Sequence, residues 1–168
     1  MLVRLSDEGS QPVSHVRQAR LLALFALAVL GGAIAIYAVR QRTLSARVGQ
    51  GREAIFAIAR GVARCSTPSG NLPKSSLPVP ADASLVRGRS YASKPGDFNH
   101  EAFLCARFAP SEPQYFQYQW VRESDSAGFV RASADFDGDG VAETQLELDV
   151  VCAASGCRTA TALRGGAP

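Results

Sequence analysis

The sequence is poor in the residues and motifs on which enzymes depend. It has two histidines: His15 lies in a polar N-terminal segment, and His100 stands beside Glu101, a setting typical of a surface histidine. No serine lies in a G-x-S-x-G setting, no glycine-rich phosphate loop occurs, and no cysteine pair has C-x-x-C redox spacing. Without a nucleophile, an acid–base pair or a cofactor loop, we expect a protein that is not an enzyme, and the sequence identifies no small-molecule substrate.

The distribution of charge excludes a nucleic-acid module. The net charge is +3, but the basic excess lies before Cys65, and acidic residues outnumber basic ones from there onward. Aromatic residues do not interleave with a basic patch, as they do in nucleic-acid-binding domains. Because the arginines flank an apolar segment, they favour anionic lipid headgroups as the partner of this region.

That apolar segment, residues 21–39, contains no charged residue over its nineteen positions. At about 1.5 Å per residue it is long enough to cross the roughly 30 Å hydrocarbon core of a bilayer. We therefore predict a flexible cytoplasmic tail at 1–15, a transmembrane helix at 16–40 and a folded domain at 41–164. The sequence Ala33-Ile34-Ala35 also fits the cleavage site of a secretory signal peptide, which is the alternative for this segment.

The arginines and the cysteines give opposing indications of the orientation of the protein in the membrane. Arg17 and Arg20 precede the apolar segment and Arg40, Arg42 and Arg47 follow it. The positive-inside rule would therefore place the domain in the cytoplasm. An even number of cysteines in a small domain is instead typical of an oxidising compartment. We give the cysteines more weight and expect a single-pass protein with an exported C-terminal domain.

The four cysteines, Cys65, Cys105, Cys152 and Cys157, allow three disulfide pairings. The short spacing of Cys152 and Cys157 around Ala-Ala-Ser-Gly favours a local loop, and Cys65–Cys105 then follows by elimination. Four reduced thiols in the cytosol are the alternative. A zinc site is not favoured, because the spacings are not of the C-x-x-C type and no histidine is near in sequence.

Residues 41–64 have the periodicity of an amphipathic helix. Apolar residues recur at spacings of three, four and seven, as expected for one buried face: Leu44, Val48, Ile55, Ile58 and Val62. The segment Ser66-Thr67-Pro68 predicts that the helix ends near Cys65. Gly49, Gly51 and Gly61 weaken such a helix and indicate a bend or the close approach of another backbone.

The rest of the sequence, residues 66–164, predicts a loop followed by a sheet. Residues 66–90 are rich in proline and serine and should form an extended loop over the domain. In the β-sheet region, 91–164, strands are predicted at 115–122, 129–134 and 144–151, with an edge strand at 158–163; residues 103–108 fit a strand or a helical turn. The fold class is α+β, a long N-terminal helix packed on a small antiparallel sheet, because only this helix can cover the sheet.

The strand at 115–122 carries a run of aromatic residues. Phe116, Tyr118 and Trp120 alternate with polar or smaller residues, a pattern typical of a strand with one buried face. The alternative is that these side chains, with Tyr115, line a binding groove.

One stretch has the form of a metal-binding motif. Asp135, Asp137 and Asp139 occupy positions one, three and five of a D-x-D-x-D-G sequence, followed by Gly140 at position six, which permits a sharp turn, and Glu143 at position nine. Carboxylate oxygens at this spacing suit Ca²⁺. Position twelve is a leucine rather than the bidentate glutamate of an EF-hand, so the motif predicts at most a weak, partial calcium loop. An Asp/Gly-rich hairpin turn without metal is the alternative.

The order of these features resembles bacterial type IV pilin-like and pseudopilin-like proteins. The resemblance is carried by AIYAVRQRTLSARVGQGREAIFAIARGVARC, DFNHEAFLCARFAPSEPQYFQYQW and FVRASADFDGDGVAETQLELD. It implies a helix whose second half packs on an antiparallel sheet, a disulfide-closed C-terminal region, and subunits that contact one another through their N-terminal helices. It also implies a bacterial inner-membrane location, a periplasmic or extracellular domain, and a calcium loop formed by Asp135, Asp137, Asp139 and Glu143.

The sequence departs from the pilin pattern at the start of the helix. A prepilin has a glycine at the cleavage site and a glutamate five residues into the mature helix. Here Arg17-Gln18-Ala19-Arg20 precedes the apolar segment, and no glutamate occurs between Glu8 and Glu53. We therefore expect an uncleaved structural or accessory protein of a type IV pilus or type II secretion-like system. The alternative is a signal-anchored, calcium-dependent binding module unrelated to pili.

Overall fold

The computed structural model describes the backbone of residues 13–166 and the side chains of residues 20–166. The predicted N-terminal tail lies outside the described residues as far as residue 12, and helix α1 begins at Val13. The chain divides into two compact units, one before Leu44 and one that begins at Leu44. Helix α1, Val13–Ser66, contributes to both units.

In the first unit, α1 exposes its apolar side chains. The large hydrophobic residues here are 57–70% exposed: Leu21, Leu22, Leu24, Phe25, Leu27, Val29, Leu30, Ile34, Ile36, Tyr37 and Val39. Among the described residues, α1 is the one helix long and apolar enough to cross a membrane, judged by length and composition. A continuous apolar surface of this kind requires lipid or another apolar surface to cover it.

The second unit contains an antiparallel sheet of four strands in sequence order. The strands are β1 (Gln117–Arg122), β2 (Ala127–Ala134), β3 (Thr144–Ala153) and β4 (Gly156–Thr159). Each strand pairs with its neighbour through a direct connection. Together with the long N-terminal helix, this sheet confirms the predicted α+β fold.

The second half of α1 and the sheet share one hydrophobic core. Ile55, Ile58 and Val62 of the helix are completely buried, as are Trp120 and Leu148 of the sheet. Burial of each such side chain contributes about 1.5–3 kcal/mol to folding. Leu44 and Val48, predicted for the same face, are half-buried. The apolar periodicity therefore identified the face of the helix that covers the sheet.

The aromatic strand faces this core. Phe116, Tyr118 and Trp120 are at most 1% exposed. Burial raises the pKa of the Tyr118 hydroxyl well above its usual value. The alternative in which these side chains line a binding groove is wrong, because none of the three reaches the surface.

A short helix precedes β1, in a segment for which the sequence allowed either a strand or a helical turn. Helix α2, Glu101–Ala106, is the observed form of the segment that fitted either a strand or a helical turn. The Nδ1 atom of His100 accepts a hydrogen bond from the Ala102 N–H at 3.2 Å and so caps this helix. His100 therefore has a specific structural role that the surface interpretation did not include.

The proline-rich segment after α1 covers the free edge of β1. The backbone N–H and C=O of Val79 both pair with Tyr118, and the N–H of Ser76 donates to the Trp120 carbonyl at 2.9 Å. A 3₁₀ helix, Ala83–Val86, follows. Because an uncovered edge strand presents unpaired backbone groups, this segment protects the sheet from pairing with another chain.

The last strand begins earlier than predicted. An edge strand was expected at 158–163, whereas β4 comprises Gly156–Thr159 and pairs with β3. Further along the chain, Arg164 pairs with Glu147 as an isolated bridge. The Ala160 N–H still donates to the Asp149 carbonyl at 2.8 Å, so the chain leaves the edge of β3 after Ala160 and returns to it at Arg164.

Candidate functional site

The loop between β2 and β3, residues 135–143, carries the candidate metal ligands and is called the acidic loop below. Its two glycines have left-handed backbone conformations, with φ of 83° at Gly138 and 98° at Gly140. Residues with side chains rarely adopt these values. The glycines therefore allow the chain to curl so that successive aspartates face a common region.

Hydrogen bonds to backbone N–H groups hold the aspartates of the acidic loop in place. The Asp135 carboxylate accepts from Gly138 at 2.6 Å and from Gly140 at 2.8 Å. Asp137 accepts from the N–H of Asp139 at 3.0 Å, and Asp139 accepts from Val141 at 2.7 Å. These are the local bonds of an Asp/Gly-rich turn, so the carboxylates stabilise the loop whether or not it holds a metal.

Glu143 completes the acidic group. Its Oε2 atom accepts a hydrogen bond from the Phe136 N–H at 3.1 Å. Its Oε1 atom is buried and has no hydrogen-bond partner among the described residues. One oxygen from each of Asp135, Asp137, Asp139 and Glu143 can be chosen so that all four lie within 4.8 Å of one another.

This geometry fits a calcium ion. Ca²⁺ binds oxygen at about 2.3–2.6 Å, so ligands on opposite sides of the ion lie about 5 Å apart. Each carboxylate oxygen has two lone pairs, so one that accepts an N–H bond can still bind a cation. The buried, unpartnered Oε1 of Glu143 is the atom whose desolvation a cation would compensate. The twelfth position is Leu146, buried in the core, and strands flank the loop; both exclude an EF-hand.

Hydrogen bonding within the loop favours the ionised form of Asp137. The Asp139 N–H and, next, the Glu143 side chain hold the pKa of Asp137 below its usual value. The Arg87 guanidinium lies with its Nε atom 3.6 Å from an oxygen of Asp135. This arginine neutralises part of the charge and competes with a bound cation for Asp135.

Arg87 and Gly88 belong to the site, although sequence reasoning assigned them only to the proline-rich loop. The Gly88 N–H donates to the Asp135 carbonyl at 2.8 Å. A Cβ built on Gly88 would lie 3.4 Å from the Cα of Gly138, so the two loops are in close contact. The only sequence indication was the pair Arg87 and Arg89 within a segment otherwise dominated by proline and serine.

The structure brings the cysteines together in two pairs at disulfide distance. The Cα atoms of Cys65 and Cys105 are 5.8 Å apart and link the end of α1 to α2. Those of Cys152 and Cys157 are 3.9 Å apart across the turn between β3 and β4. Among the described residues no cysteine is left unpaired, which fits an oxidising compartment better than the cytosol.

The class of protein that these features define is an α+β protein with a long, partly apolar N-terminal helix packed on a small antiparallel sheet, a pilin-like layout. No family model, curated protein or solved structure matches the chain. Its function is therefore argued from its own residues.

Proposed function

We propose that this protein is a membrane-anchored, pilin-like structural or accessory subunit of a type IV pilus or type II secretion-like system. The observation that supports this most strongly is the division of α1. Its first part exposes an uncharged apolar surface, and its last part supplies Ile55, Ile58 and Val62 to the core of the folded domain. One helix thus joins a membrane-compatible segment to a domain without a separate linker.

The proposed location is the bacterial inner membrane, with the domain on the periplasmic or extracellular side. The two cysteine pairs support export, because disulfides persist in oxidising compartments. The exposed apolar surface supports lipid, or the same helix of a neighbouring subunit, as its partner. The missing cleavage glycine and helix glutamate support an uncleaved accessory protein over a processed major subunit.

A pair of reporter fusions tests this topology. Alkaline phosphatase, which is active only after export, is fused after Pro168, and a cytoplasm-restricted fluorescent protein is fused at the same place in a second strain. We expect phosphatase activity without fluorescence, and loss of the phosphatase activity when residues 21–39 are deleted. Fluorescence without phosphatase activity would reject the proposal. Mass spectrometry of the N terminus then separates an uncleaved anchor from a processed pilin or a cleaved signal peptide.

A second candidate function, calcium-dependent binding by the acidic loop, is favoured by the four convergent carboxylates and the unpartnered Glu143 oxygen. At ten times the dissociation constant, Ca²⁺ adds about 1.4 kcal/mol of stability and raises Tm by about 3–6 °C. Asp137→Ala with Asp139→Ala should abolish the shift, because both side chains are proposed ligands.

The matched control for this test is Glu112→Ala with Glu123→Ala, which removes two exposed carboxylates outside the loop and should preserve the shift. The readout is the difference between Tm with Ca²⁺ and Tm with EDTA for each variant, so any effect of substitution on the metal-free protein cancels. An unchanged Tm up to several millimolar Ca²⁺ would reject this function, because extracellular calcium modules bind at about 0.1–1 mM.

A further inference from the structure

Four arginines converge on the surface around the end of α1. Arg60, Arg64 and Arg107 line a cleft of about 500 Å³ beside Cys65 and Cys105. Arg60 and Arg64 also line a second cleft, of about 460 Å³, together with Arg158. We call this set the arginine patch: Arg60, Arg64, Arg107 and Arg158.

The arginine patch has no acidic partner within the described part of the chain. Four other arginines, Arg87, Arg122, Arg131 and Arg164, each lie within 4.0 Å of a carboxylate. None of the four patch arginines does, although all are exposed. Arg60 and Arg64 are also one helical turn apart, a spacing at which like charges destabilise a helix. The fold therefore maintains a concentration of positive charge that its own acidic residues do not neutralise.

The acidic loop has the complementary character. Asp137 and Asp139 are exposed and form no ion pair with any described cation. The backbone N–H bonds that they accept leave further lone pairs free. The loop thus presents at least two carboxylates to an external cation.

The sheet places these two charged surfaces at opposite ends of its strands. Thr144, the first residue of β3, follows the acidic loop directly. Val151, near the other end of β3, pairs with Arg158 of the arginine patch. At about 3.3 Å per residue, these two positions on β3 are separated by about 23 Å. A carboxylate of the loop cannot reach the patch of the same molecule, but it can reach the patch of another.

We propose that the arginine patch of one molecule binds the acidic loop of a second copy of this chain, in a head-to-tail contact. Because the two contacting surfaces differ and lie at opposite ends of the domain, the contact is heterologous, and repetition of it builds an open chain of subunits. Both surfaces belong to the unit that begins at Leu44, so the contact does not depend on the proposed membrane role. A weak, salt-sensitive contact is expected, because each ion pair is solvent-exposed.

Charge reversal on the full-length chain in detergent micelles tests the contact. One variant carries Arg60→Glu and Arg64→Glu, and the other carries Asp137→Lys and Asp139→Lys. EDTA is present so that the loop keeps its charge, and sedimentation velocity measures association at 20 and 500 mM NaCl. We expect the native chain to associate at low salt and to dissociate at high salt. Each variant alone should associate at least tenfold more weakly.

The decisive sample is an equimolar mixture of the two variants. In it, each reversed surface meets an oppositely charged surface on the other variant, so association should return to the native level. This recovery also shows that both variants are folded. The control for the arginine variant is Arg52→Glu with Lys74→Glu, which changes the net charge by the same amount at exposed positions outside both clefts. It should associate like the native chain.

Three results would overturn the proposal. The first is a native chain whose association is the same at both salt concentrations, and the second is a mixture that does not recover. The third is an Arg60→Glu, Arg64→Glu variant that associates normally but no longer binds phosphatidylglycerol vesicles. That result would show that the arginine patch contacts anionic lipid rather than a second copy of the chain.

Discussion

Gly61 of α1 lies directly against Ala106, the last residue of α2. A Cβ atom built on Gly61 would be 2.5 Å from the Cα of Ala106 and would overlap its carbonyl group as well. The absence of a side chain at this position therefore allows the two helices to touch through their backbones. The same contact brings Cys65 within reach of Cys105, one helical turn further along α1.

Gly61→Ala should destabilise the domain in spite of the better helix propensity of alanine. Alanine gains about 1 kcal/mol in an exposed helix, but overpacking in a close contact typically costs about 1–3 kcal/mol. Since the obstacle is backbone rather than a flexible side chain, we expect the overpacking to outweigh the gain and to leave a net loss of up to about 2 kcal/mol. Urea unfolding followed by the fluorescence of Trp120, the one tryptophan, measures it.

Gly49→Ala is the matched control in the same helix. No atom lies within 4 Å of a Cβ built on Gly49. This substitution should therefore leave stability unchanged or raise it by up to about 1 kcal/mol. Equal effects of the two substitutions would show that the close approach at Gly61 does not exist in solution.

The two cysteine pairs should contribute unequally to stability. Their members are 40 and 5 residues apart in sequence. In the chain-entropy treatment, these loop lengths correspond to about 4 and 2 kcal/mol at 25 °C. We expect Cys65→Ser with Cys105→Ser to cost about twice as much free energy of unfolding as Cys152→Ser with Cys157→Ser.

Urea unfolding of both double variants, with the native chain under oxidising and reducing conditions, checks this order. Reduction of the native chain should lower its free energy of unfolding by at least the contribution of the Cys65–Cys105 pair, which closes the longer loop. If the reductant leaves the unfolding midpoint of the native chain unchanged, the pairs are not disulfide-bonded in that sample, and the predicted order loses its basis.

Sequence periodicity was sufficient for the elements that face the core. The spacing of Ile55, Ile58 and Val62 predicted the buried face of the helix, and the alternation of Leu146, Leu148 and Val150 predicted β3. These patterns are informative because burial repeats every 3.6 residues in a helix and every second residue in a strand. A bend or the close approach of another backbone was predicted at Gly49, Gly51 and Gly61. The backbone of Ala106 approaches Gly61, whereas the neighbour of Gly51 is the Phe116 ring and a Cβ built on Gly49 has no neighbour within 4 Å.

Contacts between segments distant in sequence could not be predicted in this way. Arg87 and Gly88 lie against the acidic loop, yet nothing periodic connects residues 87 and 135. The proline-rich segment likewise covers the edge of β1 mainly through backbone groups, which every sequence possesses. The carboxylate spacing predicted which residues of the candidate site converge, because all four belong to a single loop.

The cover of the sheet edge should depend on Ser76. Its Oγ atom accepts a hydrogen bond from the Trp120 N–H at 2.9 Å, and Ser76 is 4% exposed. Ser76→Ala leaves that N–H buried without a partner, which costs about 1–3 kcal/mol. Ser75, whose Oγ accepts from the Arg122 N–H at 2.8 Å, is exposed. Ser75→Ala should therefore cost less than Ser76→Ala, because water can replace the lost bond.

Amide hydrogen exchange distinguishes this explanation from a general loss of stability. The Trp120 N–H should exchange faster in Ser76→Ala relative to the Val130 N–H, which lies within the sheet. Uniform acceleration of both amides would mean that the substitution lowers global stability without opening the edge.

Acid should remove a stabilising contribution from Asp137. The pKa of this carboxyl is lowered in the folded protein, first by the hydrogen bond from the Asp139 N–H and then by the side chain of Glu143. A carboxyl whose pKa is lower in the folded state stabilises the fold above its unfolded pKa, near 3.8, and loses that effect as the pH falls through the folded value. Asp137→Asn should therefore lower stability at pH 7, and the difference from the native chain should shrink below about pH 4.

The measurement is the free energy of unfolding of the native and Asp137→Asn chains between pH 2.5 and 7, with EDTA throughout to exclude metal. Asparagine keeps an oxygen that can accept from the Asp139 N–H, so the substitution tests the charge rather than the turn geometry. Glu112→Gln removes an exposed carboxylate elsewhere and should give a difference that does not follow this pH profile. A difference for Asp137→Asn that stays constant to pH 2.5 would show that the folded loop does not depend on the ionised carboxylate.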